Sequence, residues 1–185
     1  MSTPAEPLTE GRNSEDVHSL VLAPGRGDAP TLGGAMQFDN SFSVEAPIDE
    51  VFAAVADIER VVPCVPGAKV LERRGEDVYE VALKAHLGPV WKRYLSTITV
   101  VEREADAHRV VMTNRACDSR GNHAGDATIE IGLAKLGSYT NVSIYSQVTI
   151  VDGVLAENTI KEASAKQMTE FTANLRTMVA GAPQP

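Results

Sequence analysis

Between Tyr79 and Ile150 the chain repeats one pattern, the alternation of apolar and polar residues, and then changes to a single long stripe at helical spacing. Successive side chains of an extended chain point to opposite faces, so alternation marks strands with one buried side. VYEVALKAHL sets Tyr79, Val81, Leu83, Ala85 and Leu87 against Glu80, Lys84 and His86. WKRYLSTITVVERE aligns Tyr94, Ser96, Ile98 and Val100, and HRVVMTNRAC aligns Val110, Met112 and Asn114. The next two runs align Ala127, Ile129, Ile131 and Leu133, then Val142, Ile144, Ser146, Val148 and Ile150. Turn signals such as RGED, LGP, READA and KLGS separate these runs. Connections this short join antiparallel neighbours, because a parallel return needs a crossover of about a dozen residues.

The closing segment places Ile160, Ala163, Gln167, Phe171, Leu175 and Met178 at three- and four-residue steps, with Glu157, Lys161, Glu162, Lys166 and Glu170 covering the other side. That is one amphipathic helix of about six to seven turns. At the front, MQFDNSFSVEA alternates as a strand, and PIDEVFAAVADIERVV follows with helical spacing. Pro47 suits a first helical position and Asp49 and Glu50 suit the positive end of the helix dipole. Pro63 and Pro66 end that helical segment. The short run AKVLERR reads as another strand. The order predicts an α+β fold: a curved antiparallel sheet of about six to seven strands wrapped around a long C-terminal helix, with two short helices after the first strand.

Residues 1–35 differ in kind, with four prolines, five glycines, no aromatic residue and an acidic excess. Such a segment buries too little surface to offset its ordering entropy. We therefore expect a tail over 1–35 and a single domain over 36–182. Within the tail, Val17, Leu20, Val21 and Leu22 form an apolar island, which is either incidental or a peptide that docks on a partner. The net charge of −8 and the scattered cations argue against nucleic acid and against strong binding to an anionic membrane. Two cysteines fit neither a disulfide scaffold nor a zinc pattern. The absence of a cationic, apolar leader and of a run of about 20 apolar residues points to the cytoplasm.

The inward positions mix large groups with Ala85, Ser96, Ala127 and Ser146, and small inward residues leave room. A cavity between helix and sheet is the candidate site. Its expected lining is Cys64, Pro66, Tyr79, Leu83, Tyr94, Ile98, Met112, Ile129, Ile144, Ile160, Gln167 and Phe171. Gln167 is a polar group turned toward an apolar sheet and needs a partner there. In VVPCVPGAKV, Cys64 is either a small buried plug at a stiff joint or part of a gate at the cavity mouth. Arg115, Asp118, Arg120, His123 and Asp126 form the densest polar cluster, read as a solvated hairpin tip, with acid–base chemistry as the sharper reading. Trp91 and Arg93 could anchor a partner or belong to a packed strand edge. No catalytic residue, metal site or covalently held cofactor is expected from these patterns.

The order of elements, with FSVEAPIDEVF at 42–52, DIER at 57–60, CVPGA at 64–68, LGPV at 87–90 and VDG at 151–153, resembles the helix-grip fold of the START-like (SRPBCC) superfamily. Within it the sequence is similar to the CoxG-like family of carbon monoxide dehydrogenase proteins from Met36 to about Val179. Asp118, Gly121 and Gly125 fall where that family carries a Gly-rich strand start. The resemblance implies a carrier of a quinone- or lipid-like molecule that serves a carbon monoxide dehydrogenase-type molybdenum hydroxylase in recruitment or maturation. The tail, the ending MVAGAPQP and the polar opening LAENTIKE depart from the family pattern. They imply membrane contact that is at most peripheral and transient, at the inner face of the cell membrane. Two other functions fit the same fold: a polyketide cyclase- or hydratase-like enzyme using the cavity, and a ligand-free assembly module.

Overall fold

A computed structural model describes residues 35–151 and 157–181. The tail expected over 1–35, with its island at Val17, Leu20, Val21 and Leu22, lies outside the described residues but for Ala35. The alternating runs become strands β1 (Met36–Val44), β2 (Ala68–Arg73), β3 (Val78–Leu87), β4 (Val90–Glu104), β5 (Arg109–Asp118), β6 (His123–Leu136) and β7 (Tyr139–Ile150). They form one antiparallel sheet in the order β1-β7-β6-β5-β4-β3-β2. From β2 to β7 each strand pairs with its neighbour in sequence, as short turns require, and β1 closes the far edge against β7. Register shifts at Val70/Glu72, Val100/Glu102 and Ala116/Cys117 break the ladder. Such bulges sharpen the twist and bend the sheet around what it covers.

The helices follow the expected order: α1 (Ile48–Val55), α2 (Ile58–Val61) with a 3-10 turn over Val62–Cys64, and α3 (Glu157–Ala180) of 24 residues. Pro47 sits one position earlier than expected, at the cap of α1, where its carbonyl accepts the amides of Glu50 and Val51 at 3.1 Å. Asp57 caps α2 by accepting the Glu59 amide at 3.0 Å. The Arg103 guanidinium donates to the Ala56 carbonyl just past α1 and holds Asp77 at 3.0 Å, tying the helical pair to the sheet.

The core lies under the second half of α3. Phe171, Leu175 and Val179 pack on Val51, Val55 and Ile58 of the helical pair and on Val110, Ile131, Val142 and Ile144 of the sheet, all of them buried. Thr140 is buried there too, and its hydroxyl donates to the Ala46 carbonyl at 2.7 Å. Arg176 donates to the Ser43 carbonyl at 3.0 Å and fixes α3 against β1.

The joint after the helical pair is stitched on two sides. Asn174 of α3 donates to the Cys64 carbonyl at 3.0 Å, and the Lys84 amide of β3 donates to the Gly67 carbonyl at 2.9 Å. Gly67 has a φ of +76°, and a Cβ there would overlap the Lys84 carbonyl oxygen. Only glycine meets both demands. Gly67→Ala is therefore expected to lower the melting temperature by several degrees, far more than Gly137→Ala, where φ is +64° but no atom stands within 4 Å. Leu175→Ala, at a fully buried position, is expected to cost about 2–5 kcal/mol by denaturant titration.

Candidate functional site: a cavity beneath the first half of the last helix

Along α3 the inward stripe changes character. Its second half is Phe171, Leu175 and Val179, which fill the core, while its first half is Ile160, Ala163, Ser164 and Gln167. Facing that first half, the sheet offers Ala85, Ser96, Ala116, Ala124, Gly125 and Ala127. Small groups opposite small groups cannot meet across the distance that Phe171 and Leu175 set, and a cavity of about 520 Å³ remains. Well-packed interiors leave few voids larger than a water molecule. This one has the size of a small-molecule site, for which about 300–1,000 Å³ is usual.

Gly125 contributes by lacking a side chain, since a Cβ there would stand 2.5 Å from the Thr149 carbonyl of β7. The glycine-rich start of β6 therefore lets two strands approach closely beside the cavity. Sequence reasoning passed over Ala116 and Ala124; the small-residue run from Ala124 to Ala127 was the available signal.

The register defines a floor. Ile98, Asn114, Ala127 and Val148 stand in one row across β4 to β7. Asn114, Ala127 and Val148 line the cavity, and the next row, Val100, Met112 and Ile129, belongs to the core or packs against it. On α3 the same boundary falls between Gln167 and Phe171. Two carboxamides, Asn114 and Gln167, thus mark the bottom of an otherwise apolar pocket. The Asn114 Oδ1 atom is enclosed and has no hydrogen-bond partner.

Of the expected lining residues, Pro66, Leu83, Tyr94, Ile160 and Gln167 border the cavity. Tyr79, Ile98, Met112, Ile129, Ile144 and Phe171 do not; they face inward as expected but lie on the core side of the floor row, where α3 sits down on the sheet. Cys64 is also displaced from its expected place at the mouth. It is 4% exposed, with Sγ 3.8 Å from both the Arg60 carbonyl and the Met178 sulfur. It is the plug of the joint, while the neighbouring Pro66 and Gly67 reach the cavity.

The rim is polar and solvated. Lys84, His86, Trp91, Asp126, Lys166 and Glu170 all border the opening and all are exposed. Trp91 is 62% exposed and lies between the Lys84 ammonium and the His86 ring, each 4.6 Å from its centroid. Arg93, the other expected partner-facing residue, is exposed on the strand beside it, opposite Lys84 in register. At the β5–β6 hairpin, Asp118 accepts the amides of Arg120 and Asn122 and the Asn122 side chain, which holds its carboxyl below the usual range. His123 stands 2.8 Å from Asp126, and among the described residues no group of three potential metal ligands assembles. One histidine contact escaped the sequence reading: His108, at a turn with a φ of +47°, sits 3.0 Å from Asp49 and edge-on to Phe52.

These features define a helix-grip protein of START-like architecture with a ligand-sized cavity under its grip helix. Solved structures with the same fold include a conserved protein from Geobacillus kaustophilus, with a TM-score of 0.69 at 17% identity over 78% of this chain and 95% of that one. A START superfamily protein from Mycobacterium smegmatis gives 0.54 at 13% identity, covering 81% of this chain and 100% of its own. An aromatase/cyclase from a Streptomyces species gives 0.52 at 15%, covering 80% and 93%. No curated protein matches the sequence. The profile of the carbon monoxide dehydrogenase CoxG family matches residues 41–180, and the chain belongs to that family. Among the described residues no helix is long and apolar enough to cross a membrane.

Burial pushes the Cys64 thiol above its ordinary value of 9.0, against a smaller downward pull from Arg60. The unfolded chain then loses this proton first, so the contribution of this thiol to stability is present below about pH 9 and lost above it. Denaturant midpoints between about pH 8 and 10 are expected to fall less steeply in Cys64→Val than in the parent protein.

Proposed function

We propose that the protein is a non-catalytic carrier of an apolar, quinone- or isoprenoid-like molecule held between α3 and the sheet. The observation that carries this reading is the cavity itself: about 520 Å³, walled by Leu83, Ala85, Leu87, Ala127, Val148 and Ile160, with carboxamides at its floor. Apolar burial at roughly 25 cal/mol/Å² supplies the affinity, and one or two polar groups orient the ligand. Family membership adds a client, a carbon monoxide dehydrogenase-type molybdenum hydroxylase, reached by direct contact at the cytoplasmic side of the membrane. Trp91 and Arg93 at the rim, and the apolar island of the tail, are the surfaces we assign to that contact.

The cyclase-like alternative draws on the shared fold of the Streptomyces aromatase/cyclase. It would need an acid or base inside the pocket. The cavity carboxylates, Asp126 and Glu170, are exposed at the rim, and the inner polar groups Ser96, Asn114 and Gln167 do not titrate in the ordinary range. That distribution favours holding a molecule over transforming it.

Native mass spectrometry of the purified protein, before and after incubation with menaquinone or ubiquinone analogues, tests the reading. A one-to-one lipophilic adduct is expected, and enlarging Ser96 to Phe should reduce its occupancy at least tenfold by filling the cavity from β4. A protein that takes up no lipid or quinone, with an unshifted melting temperature, would not be a carrier.

A further inference from the structure

We infer that the ligand enters head first: its polar end lies at the floor against Asn114, carries a hydrogen-bond donor such as a ring hydroxyl, and leaves the apolar tail toward the rim. This rests on the carrier reading above. An amphiphile in an open pocket can place its polar end in either of two zones, and the described residues differ sharply between them. At the rim, Lys84, Asp126, Lys166 and Glu170 are exposed, so water already satisfies them and a ligand group adds little there. At the floor, the Asn114 Oδ1 is enclosed with no partner, and an unpaired buried acceptor is costly. The Gln167 amide borders the same space from the helix side, with no hydrogen bond to any described residue. Between floor and rim the walls are Leu83, Ala85, Leu87 and Ile160, which suit a hydrocarbon tail and offer a polar head nothing.

Water can serve Asn114 in the empty protein, since the cavity has room for several molecules at about 30 Å³ each. A ligand that fills the floor displaces that water and must reproduce its hydrogen bond or lose affinity. An acceptor-only head, such as an aryl ether, leaves Oδ1 unpaired, whereas a hydroxyl donates to it. The pocket is therefore selective for the hydroxylated head, a phenol or hydroquinone, over its capped counterpart. The selectivity is set by a residue at the deepest point of the site, away from the charged rim.

The test uses 2-naphthol and 2-methoxynaphthalene, titrated calorimetrically into the full-length protein. We expect the naphthol to bind about tenfold or more tightly than the ether. Asn114→Leu, close in volume, should lower naphthol affinity to that of the ether and leave the ether nearly unchanged. Asn114→Ala provides the same comparison should the leucine variant not fold. Equal binding of both probes by the parent protein, or a preference that survives removal of Asn114, would overturn the head-first assignment while leaving the carrier reading intact. Failure of either probe to bind at all would overturn both.

Discussion

The structure depends on where one helix touches one sheet. Phe171, Leu175 and Val179 anchor the second half of α3 against β5, β6, β7 and the short helical pair, and this contact sets the spacing of helix and sheet along the whole interface. Once that spacing is fixed by large side chains at one end, small ones at the other cannot close the gap. The cavity follows from a gradient of side-chain size along two facing surfaces, with Ile160, Ala163 and Ser164 opposite Ala85, Ser96 and Ala116. Core and pocket are consecutive stretches of the same stripe, which is why a single fold can be rigid at one end and hollow at the other.

The joint between helical pair and β2 keeps the hollow end in place. A buried cysteine, a glycine with left-handed backbone and an asparagine reaching over from α3 tie three elements together at one point. Pro66 and Gly67, on the far side of that joint, form part of the cavity wall. The joint is structural, yet its position gives it a say in the shape of the pocket.

Much of this was legible beforehand. Alternation located the strands and told which side chains face inward, the three- and four-residue stripe located α3, and the short turns required a meander. Alternation reports a face and is silent on depth. Met112 and Asn114 share a face two residues apart, but Met112 is core and Asn114 lines the cavity, because the boundary is set by the line along which α3 meets the sheet. The same limit explains why Tyr79, Ile98 and Phe171 were expected at the pocket and found in the core. For Cys64, sequence context left plug and gate open, and burial against Arg60 and Met178 decided it.

By itself the sequence determined the class of fold, its antiparallel order, its grip helix and its family, since each of these is written in local periodicity or in short contiguous motifs. Tertiary structure alone decided which inward residues stand around empty space, that Asn114 and Gln167 meet at its floor, and that Trp91 lies between Lys84 and His86 at its rim. Those facts are relations between residues far apart in the chain, fixed by register across the sheet and by the seat of one helix. No pattern within a single segment encodes them.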